Sequence, residues 1–292
     1  MALSNVLSAV RRLILEEPTP DADPEARRRH LRNRFPDLTD AEIQDLAEIP
    51  PARLKVYTRL IFNGERSMLK WIYPVTFAAL ARIEPGLDDF NLIRDLHRHR
   101  PWTSQSSREL ADILQDYVTQ IRKDWQEHWP GLTDLIEFER LALQVYYAPD
   151  SPHRFIDVEE WGKLSVGKLM EQSVEVAPYV AVRSFCCDVV EFNHEYRREG
   201  KLPEDWPTPA RTFSLCSRHP ESLMPRWLTL SQPAYHALSH VQPGEPVLIN
   251  NLAQRYIDAA SPELKTDEQV LFQSFFTLLT DCAEIGAIVA PH

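Results

Sequence analysis

The sequence predicts an α+β chain, all-helical over residues 1–172 and strand-containing over residues 173–292. Three observations carry that expectation. Between Ala52 and Tyr147 apolar residues recur at helical spacing, interrupted at prolines and glycines. Between Arg211 and Leu230 the period changes to two, around turn residues Ser217 to Ser222. Beyond Ser231 helical spacing returns in three segments, and Gly286 is placed to end the last of them.

The elements follow in order. Val6, Val10, Leu13 and Ile14 form one stripe on a short first helix, and Glu16 to Asp21 reads as a polar, proline-rich linker. Arg27-Arg28-Arg29-His30 with Arg32 and Arg34 is a basic cluster. We read it as a solvated helix face balanced by Asp21, Asp23 and Glu25, with a nucleic-acid contact as the alternative. Thr39-x-x-Glu42 is a capping box, and Pro50-Pro51 closes that piece. Leu54, Tyr57 and Ile61 share a helix face, Gly64 allows a break, and Pro74 is expected to kink the continuation to Ile83. After the Pro85-Gly86 turn come Asp88 to His99, with Phe90, Ile93 and Leu96 inward, and a helix lined by Leu110, Ile113, Leu114, Tyr117 and Ile121. Pro130-Gly131 precedes Leu132 to Tyr147, where Leu132, Ile136, Leu143 and Tyr146 are expected to face the core.

The second part opens with a strand at Ala177 to Arg183 and a helix at Asp188 to Arg198. Arg211 to Cys216 and Pro225 to Leu230 then form a hairpin, with Leu228 and Leu230 on one face and Trp227 and Thr229 on the other. Ser231 caps a helix carrying Ala234, Leu238 and Val241; Ile249 to Ala260 is the second; Thr266-x-x-Gln269 is a capping box for the third. That third helix has two apolar rows. Leu271, Phe275, Leu278 and Cys282 suit a core, while Phe272, Phe276, Leu279 and Ala283 can wall a groove. An ordinary α+β core with a well-buried last helix is the alternative.

Composition excludes several functions. A net charge of −11 argues against a broad phosphate-binding surface. The apolar start, Met1 to Leu15, is interrupted by Arg11-Arg12 and has no cleavage-site pattern, and no run approaches a membrane span, so a cytoplasmic protein is expected. Cys186, Cys187, Cys216 and Cys282 show no C-x-x-C pair; they read as reduced thiols, with Cys186 and Cys187 on opposite sides of a strand. His97-x-His99 sits in a cationic run, and His236-x-x-x-His240 lacks an accompanying acid, so no metal is expected on this chain. No nucleophile-elbow, P-loop or dinucleotide motif occurs. Glu139 and Asp281, acids on apolar helices, are expected to pair with Arg140 and Arg122.

Strands followed by three helices resemble a winged helix, and more closely its peptide-binding variant, the RiPP recognition element. Short motifs extend the likeness in order along the chain. They are Arg53-Leu54-x-Val56-Tyr57, Tyr73-Pro74-Val75-Thr76, Arg100-Pro101-x-Thr103-Ser104, Leu135 to Tyr147-Ala148-Pro149 and Ala177-Pro178-Tyr179-Val180-x-Val182-Arg183. Together they resemble a bacterial family of partner proteins for multinuclear non-heme iron oxidative enzymes in peptide natural product biosynthesis. The methanobactin and thiaglutamate partner proteins belong to that family, and the likeness runs from about Arg53 onward. It implies a non-catalytic subunit that binds a precursor peptide and presents a cysteine to the enzyme, with the iron in the enzyme and no cofactor on this chain. The peptide, added as a strand, would meet Arg226, Trp227, Leu228 and Thr229, with Phe272, Phe276 and Leu279 receiving its side chains. Trp102, Trp125 and Trp129, in or beside loops, are the expected enzyme-docking anchors. The rival reading is a DNA-binding winged-helix regulator, but its recognition helix would carry Asp267, Glu268, Asp281 and Glu284.

Overall fold

Proline, glycine and capping side chains place most element ends in the computed structural model. It describes residues 2–15, 23–101, 106–150, 154–265 and 267–291. The chain has an α+β architecture and divides into two compact units, residues 1–123 and 124–292. The expected boundary at 172/173 therefore falls inside the second unit.

The first unit contains α1 (Ala2–Leu15), α2 (Pro24–Arg34), α3 (Asp40–Glu48), α4 (Pro51–Ile72), α5 (Pro74–Ile83), α6 (Asp89–His99) and α7 (Ser107–Gln120). Asp23 caps α2 through the amides of Glu25 and Ala26, which Pro24 at the first turn favours. The Thr39–Glu42 capping box forms with both its bonds. Leu13, Leu31, Phe35, Ile43, Leu46 and Leu54 join α1 to α4 in one apolar cluster. The linker expected at residues 16–21 lies outside the described residues.

Gly64 does not break α4, which runs through it without interruption. One glycine costs a long helix only about 1 kcal/mol, which buried Phe62 and Leu69 on either side offset. Pro74 divides the helix outright rather than kinking it: α4 stops, Tyr73 leaves the helical region, and Pro74 starts α5. Tyr73 is fully buried, and its hydroxyl donates to the Ala111 carbonyl on α7 at 3.0 Å.

The second unit contains α8 (Lys123–His128), α9 (Leu132–Tyr146), β1 (Arg154–Phe155), α10 (Val158–Trp161), α11 (Val166–Met170), β2 (Ser173–Val176), β3 (Ala181–Cys187) and α12 (Val189–Glu199). It continues with β4 (Pro209–Arg218), β5 (Pro225–Leu230), α13 (Gln232–Ser239), β6 (Val247–Leu248), α14 (Ile249–Ala259), α15 (Pro262–Lys265), α16 (Glu268–Glu284) and β7 (Ile288–Ala290). One antiparallel sheet has the order β3-β4-β5 and the other β1-β7-β2-β6.

The hairpin forms with Leu215 opposite Leu228 and Cys216 opposite Trp227. It is not half-buried, however: Ser214 through Arg218 are all buried. Both faces are covered. Helix α13 packs on the face carrying Phe213, Leu215, Leu228 and Leu230, where Phe213 meets Tyr235. Helix α9 packs on the opposite face, where Phe138 stacks on Trp227 at 3.9 Å and meets Phe185 edge-on. The small side chains Ser214 and Cys216 lie on that face and admit α9 closely. Tyr146, expected inward, is instead 44% exposed at the end of α9.

Ser231 caps α13, and α14 spans the expected stripe. Thr266 lies outside the described residues; Asp267 caps α16 by accepting from the Val270 amide at 3.1 Å. Gly286, with φ of +71°, turns the chain into β7, and a Cβ there would come within 2.9 Å of Pro220 Cγ.

Candidate functional site

The three-stranded sheet is covered on its faces by α9 and α13. Among the described residues β5 pairs only with β4, and so does β3. Outward-facing amides and carbonyls along such edges can take another strand.

Along β5, Arg226 and Thr229 are exposed, Trp227 and Leu228 are half-buried, and Leu230 is buried. On α16 the first apolar row is core, as its spacing implies: Leu271, Phe275, Leu278 and Cys282 are all buried. In the second row Phe272 and Phe276 are half-buried and stack with their rings 6.5 Å apart. Leu279 is not available to a ligand, being 1% exposed, because its place one turn after Phe275 turns it onto the core face.

The β3 edge borders a cleft of about 310 Å³. Val180 to Arg183 form its floor, Gln144, Val145 and Ala148 one wall, and Leu238, Val241 and Pro243 the other. Arg218, expected with Ser217 in the turn, is instead the last residue of β4 and lies beside this cleft. Its guanidinium donates to the carbonyls of Tyr146, Ala148 and Pro149 at 3.3, 2.9 and 3.3 Å and to Asp150 Oδ1 at 2.7 Å, and it lies 4.6 Å from the ring centre of Tyr179. Burial pushes the Tyr179 hydroxyl up despite that neighbouring cation. A lone arginine closing a run of buried strand residues was the available signal.

The tryptophan expectation needs correction. Trp125 is 1% exposed and Trp129 3%, and Trp129 stacks on Trp206 at 4.6 Å beside Phe192. Their large apolar area is spent inside the unit, so neither is a surface anchor. Trp102 lies outside the described residues. Besides Leu7 and Ile121, the described exposed large apolar side chains of the first unit lie on α4: Val56, Tyr57, Leu60, Ile61 and Trp71 are 56, 50, 64, 38 and 66% exposed.

Glu139 is buried and accepts from Asn193 Nδ2 at 3.3 Å; Arg140 pairs with Glu137 at 2.9 Å, and Arg122 pairs with Glu84. Burial, then the nearby Glu284 charge, raise the Asp281 carboxyl above its ordinary value. His97, weighed as a metal ligand, is 2% exposed; its Nε2 lies 3.0 Å from Glu65 Oε2, and its ring stacks on Phe62.

Cys186 and Cys187 do not sit on opposite sides of a regular strand. A bulge interrupts the pairing between Phe185 and Cys187. It leaves one thiol exposed and the other buried, yet both sulfurs and an Asp134 oxygen lie within 4.8 Å of one another. Burial, with the carboxylate of Asp134 nearby, raises both thiols, that of Cys187 to about 12. Cys216 and Cys282 are buried and raised by burial alone or chiefly so.

No helix among the described residues is long and apolar enough to cross a membrane. No protein-family model matches the chain, and no curated protein matches it.

Proposed function

We propose that this chain is a non-catalytic partner subunit. It binds the leader of a ribosomally made precursor peptide by strand addition and presents a cysteine of that peptide to an iron-dependent oxidative enzyme. The observation that carries the reading is the β3-β4-β5 sheet, with helices on both faces and, among the described residues, no further strand paired to β3 or β5. Backbone pairing holds any sequence that can extend, and flanking pockets select side chains. Holding the leader raises the local concentration of the reacting residue without requiring catalytic groups on the holder.

We assign the incoming strand to β5 and its apolar side chains to the Phe272–Phe276 pair of α16, a helix whose main contacts are with α10, α14, α15 and β7. Burying one such side chain contributes about 1.5–3 kcal/mol, roughly one to two decades of affinity. Phe276→Asp is therefore expected to abolish precursor binding while circular dichroism stays native. Wild-type affinity in a folded Phe276→Asp protein removes the groove from this site. A second path, along β3, is favoured by the cleft there. Photo-crosslinking amino acids at the exposed positions Arg226 and Arg183 separate the two, since the one on the occupied edge captures the peptide.

The enzyme-docking surface is assigned to the α4 stripe of Val56, Tyr57, Leu60, Ile61 and Trp71, because large clustered apolar side chains left in water mark association surfaces. The DNA-binding alternative is opposed by α16, which carries Asp267 at its cap and Glu268, Asp281 and Glu284 along its length.

A further inference from the structure

We propose that Asp134, Cys186 and Cys187 form a binding site for one thiophilic divalent cation, for which Zn²⁺ has the fitting chemistry. Two sulfurs and a carboxylate are a donor set that tetrahedral zinc accepts. Zinc bonds of about 2.3 Å to sulfur and 2.0–2.2 Å to oxygen place donor atoms roughly 3.5–3.8 Å apart. The three donors here lie within 4.8 Å of one another, so side-chain rotation closes the set without moving the strand.

The surroundings are built for it. The bulge between Phe185 and Cys187 is what aims two consecutive thiols at one point. The Cys186 amide donates to Asp134 Oδ2, which fixes the carboxylate's orientation from outside the donor set. Behind Cys187 lies a buried donor with no partner. Trp129 Nε1 is fully buried and makes no hydrogen bond, in a side chain 3% exposed. It and Cys187 Sγ converge on Gly131: a Cβ there would stand 2.5 Å from the sulfur and 2.7 Å from the indole nitrogen. A metal-bound thiolate gives that indole N–H the acceptor it lacks, whereas a neutral thiol is a weak one.

The site also has an entrance. Asp134 and Cys186 line an open cleft of about 540 Å³ with Ser184, Phe185, Pro209 and Arg211. Three protein donors leave the fourth tetrahedral position facing that cleft, for water or an incoming ligand. On binding, each thiol gives up its proton to solvent and both sulfurs coordinate as thiolates, leaving the cluster with one net negative charge. The site is independent of the peptide-binding reading.

Co²⁺ is the probe, added to the reduced, chelator-treated full chain. One Co²⁺ per chain is expected, with thiolate-to-cobalt charge-transfer absorption of two sulfurs, strong tetrahedral d–d bands, and displacement by Zn²⁺. Cys186→Ser changes an exposed side chain, and Asp134→Asn retains an acceptor for the Cys186 amide. Each is expected to lower affinity by about tenfold or more with native circular dichroism. A cobalt spectrum without thiolate bands, or unchanged affinity in either folded variant, overturns the proposal. Should both variants unfold, the wild-type spectrum decides, and an intensity below two thiolates refutes the site.

Discussion

Replacing Arg218 tests how the second unit is held together. Arg218→Met keeps the apolar stem and removes the guanidinium, which is 8% exposed as a side chain. The ion pair with Asp150 contributes little, because that carboxylate is 89% exposed and well solvated. The carbonyls matter more. The 2.9 Å bond to Ala148 is worth about 1.5–3 kcal/mol as a charge-assisted bond; the two at 3.3 Å are weaker, and the Tyr179 face adds roughly 1 kcal/mol. Against these stands the cost of desolvating the cation, several kcal/mol. With the bonds at about 5 kcal/mol together and the desolvation at about 3, the net loss is about 2 kcal/mol, which at an m-value of roughly 2–3 kcal/mol/M lowers the urea midpoint by about 0.7–1 M. Intrinsic fluorescence reports the right unit, since Trp125, Trp129, Trp161, Trp206 and Trp227 all belong to it. Arg218→Lys keeps the charge but not the fork, and should recover only part of the loss. A midpoint for Arg218→Met within about 0.3 M of wild type would refute the anchoring role.

Two further outcomes are expected. Leu60→Glu, at a position 64% exposed, should leave the thermal midpoint unchanged and weaken co-purification with the proposed iron-dependent partner; undiminished complex removes α4 from the interface. Asp281 has a folded-state carboxyl raised by burial and by Glu284, so its contribution is present below the unfolded value and lost as pH rises through the folded one. Asp281→Asn should therefore raise the urea midpoint at neutral pH, with the gain vanishing below about pH 4, and a gain constant across that range contradicts the sign.

Helices and their ends were legible because capping and apolar spacing are local properties. The Thr39–Glu42 box, the Ser231 cap and the Gly286 terminus all appear where residue chemistry puts them. The two strands of the hairpin and the faces of β5 were readable from alternation. What failed depended on packing at a distance. Nothing near Leu132 to Tyr147 in sequence says that α9 covers a sheet built from residues 181–230, so local spacing alone groups α9 with the preceding helices. Trp125 and Trp129 beside loops looked available, yet burial depends on Phe192 and Trp206, far along the chain. The thiol–carboxylate cluster was hidden for the same reason: Asp134 is remote in sequence, and one bulge reverses the alternation that separated the cysteines.

The central claim is that the edge of the β3-β4-β5 sheet receives a peptide strand. Amide hydrogen exchange, with and without a candidate cysteine-containing precursor peptide, tests it most directly. Strand addition predicts new protection at the outward amides of Arg226 to Leu230 in β5, with Thr212 to Ser217 in the already paired β4 unchanged. Precursor that binds without protecting either β5 or β3 contradicts the account.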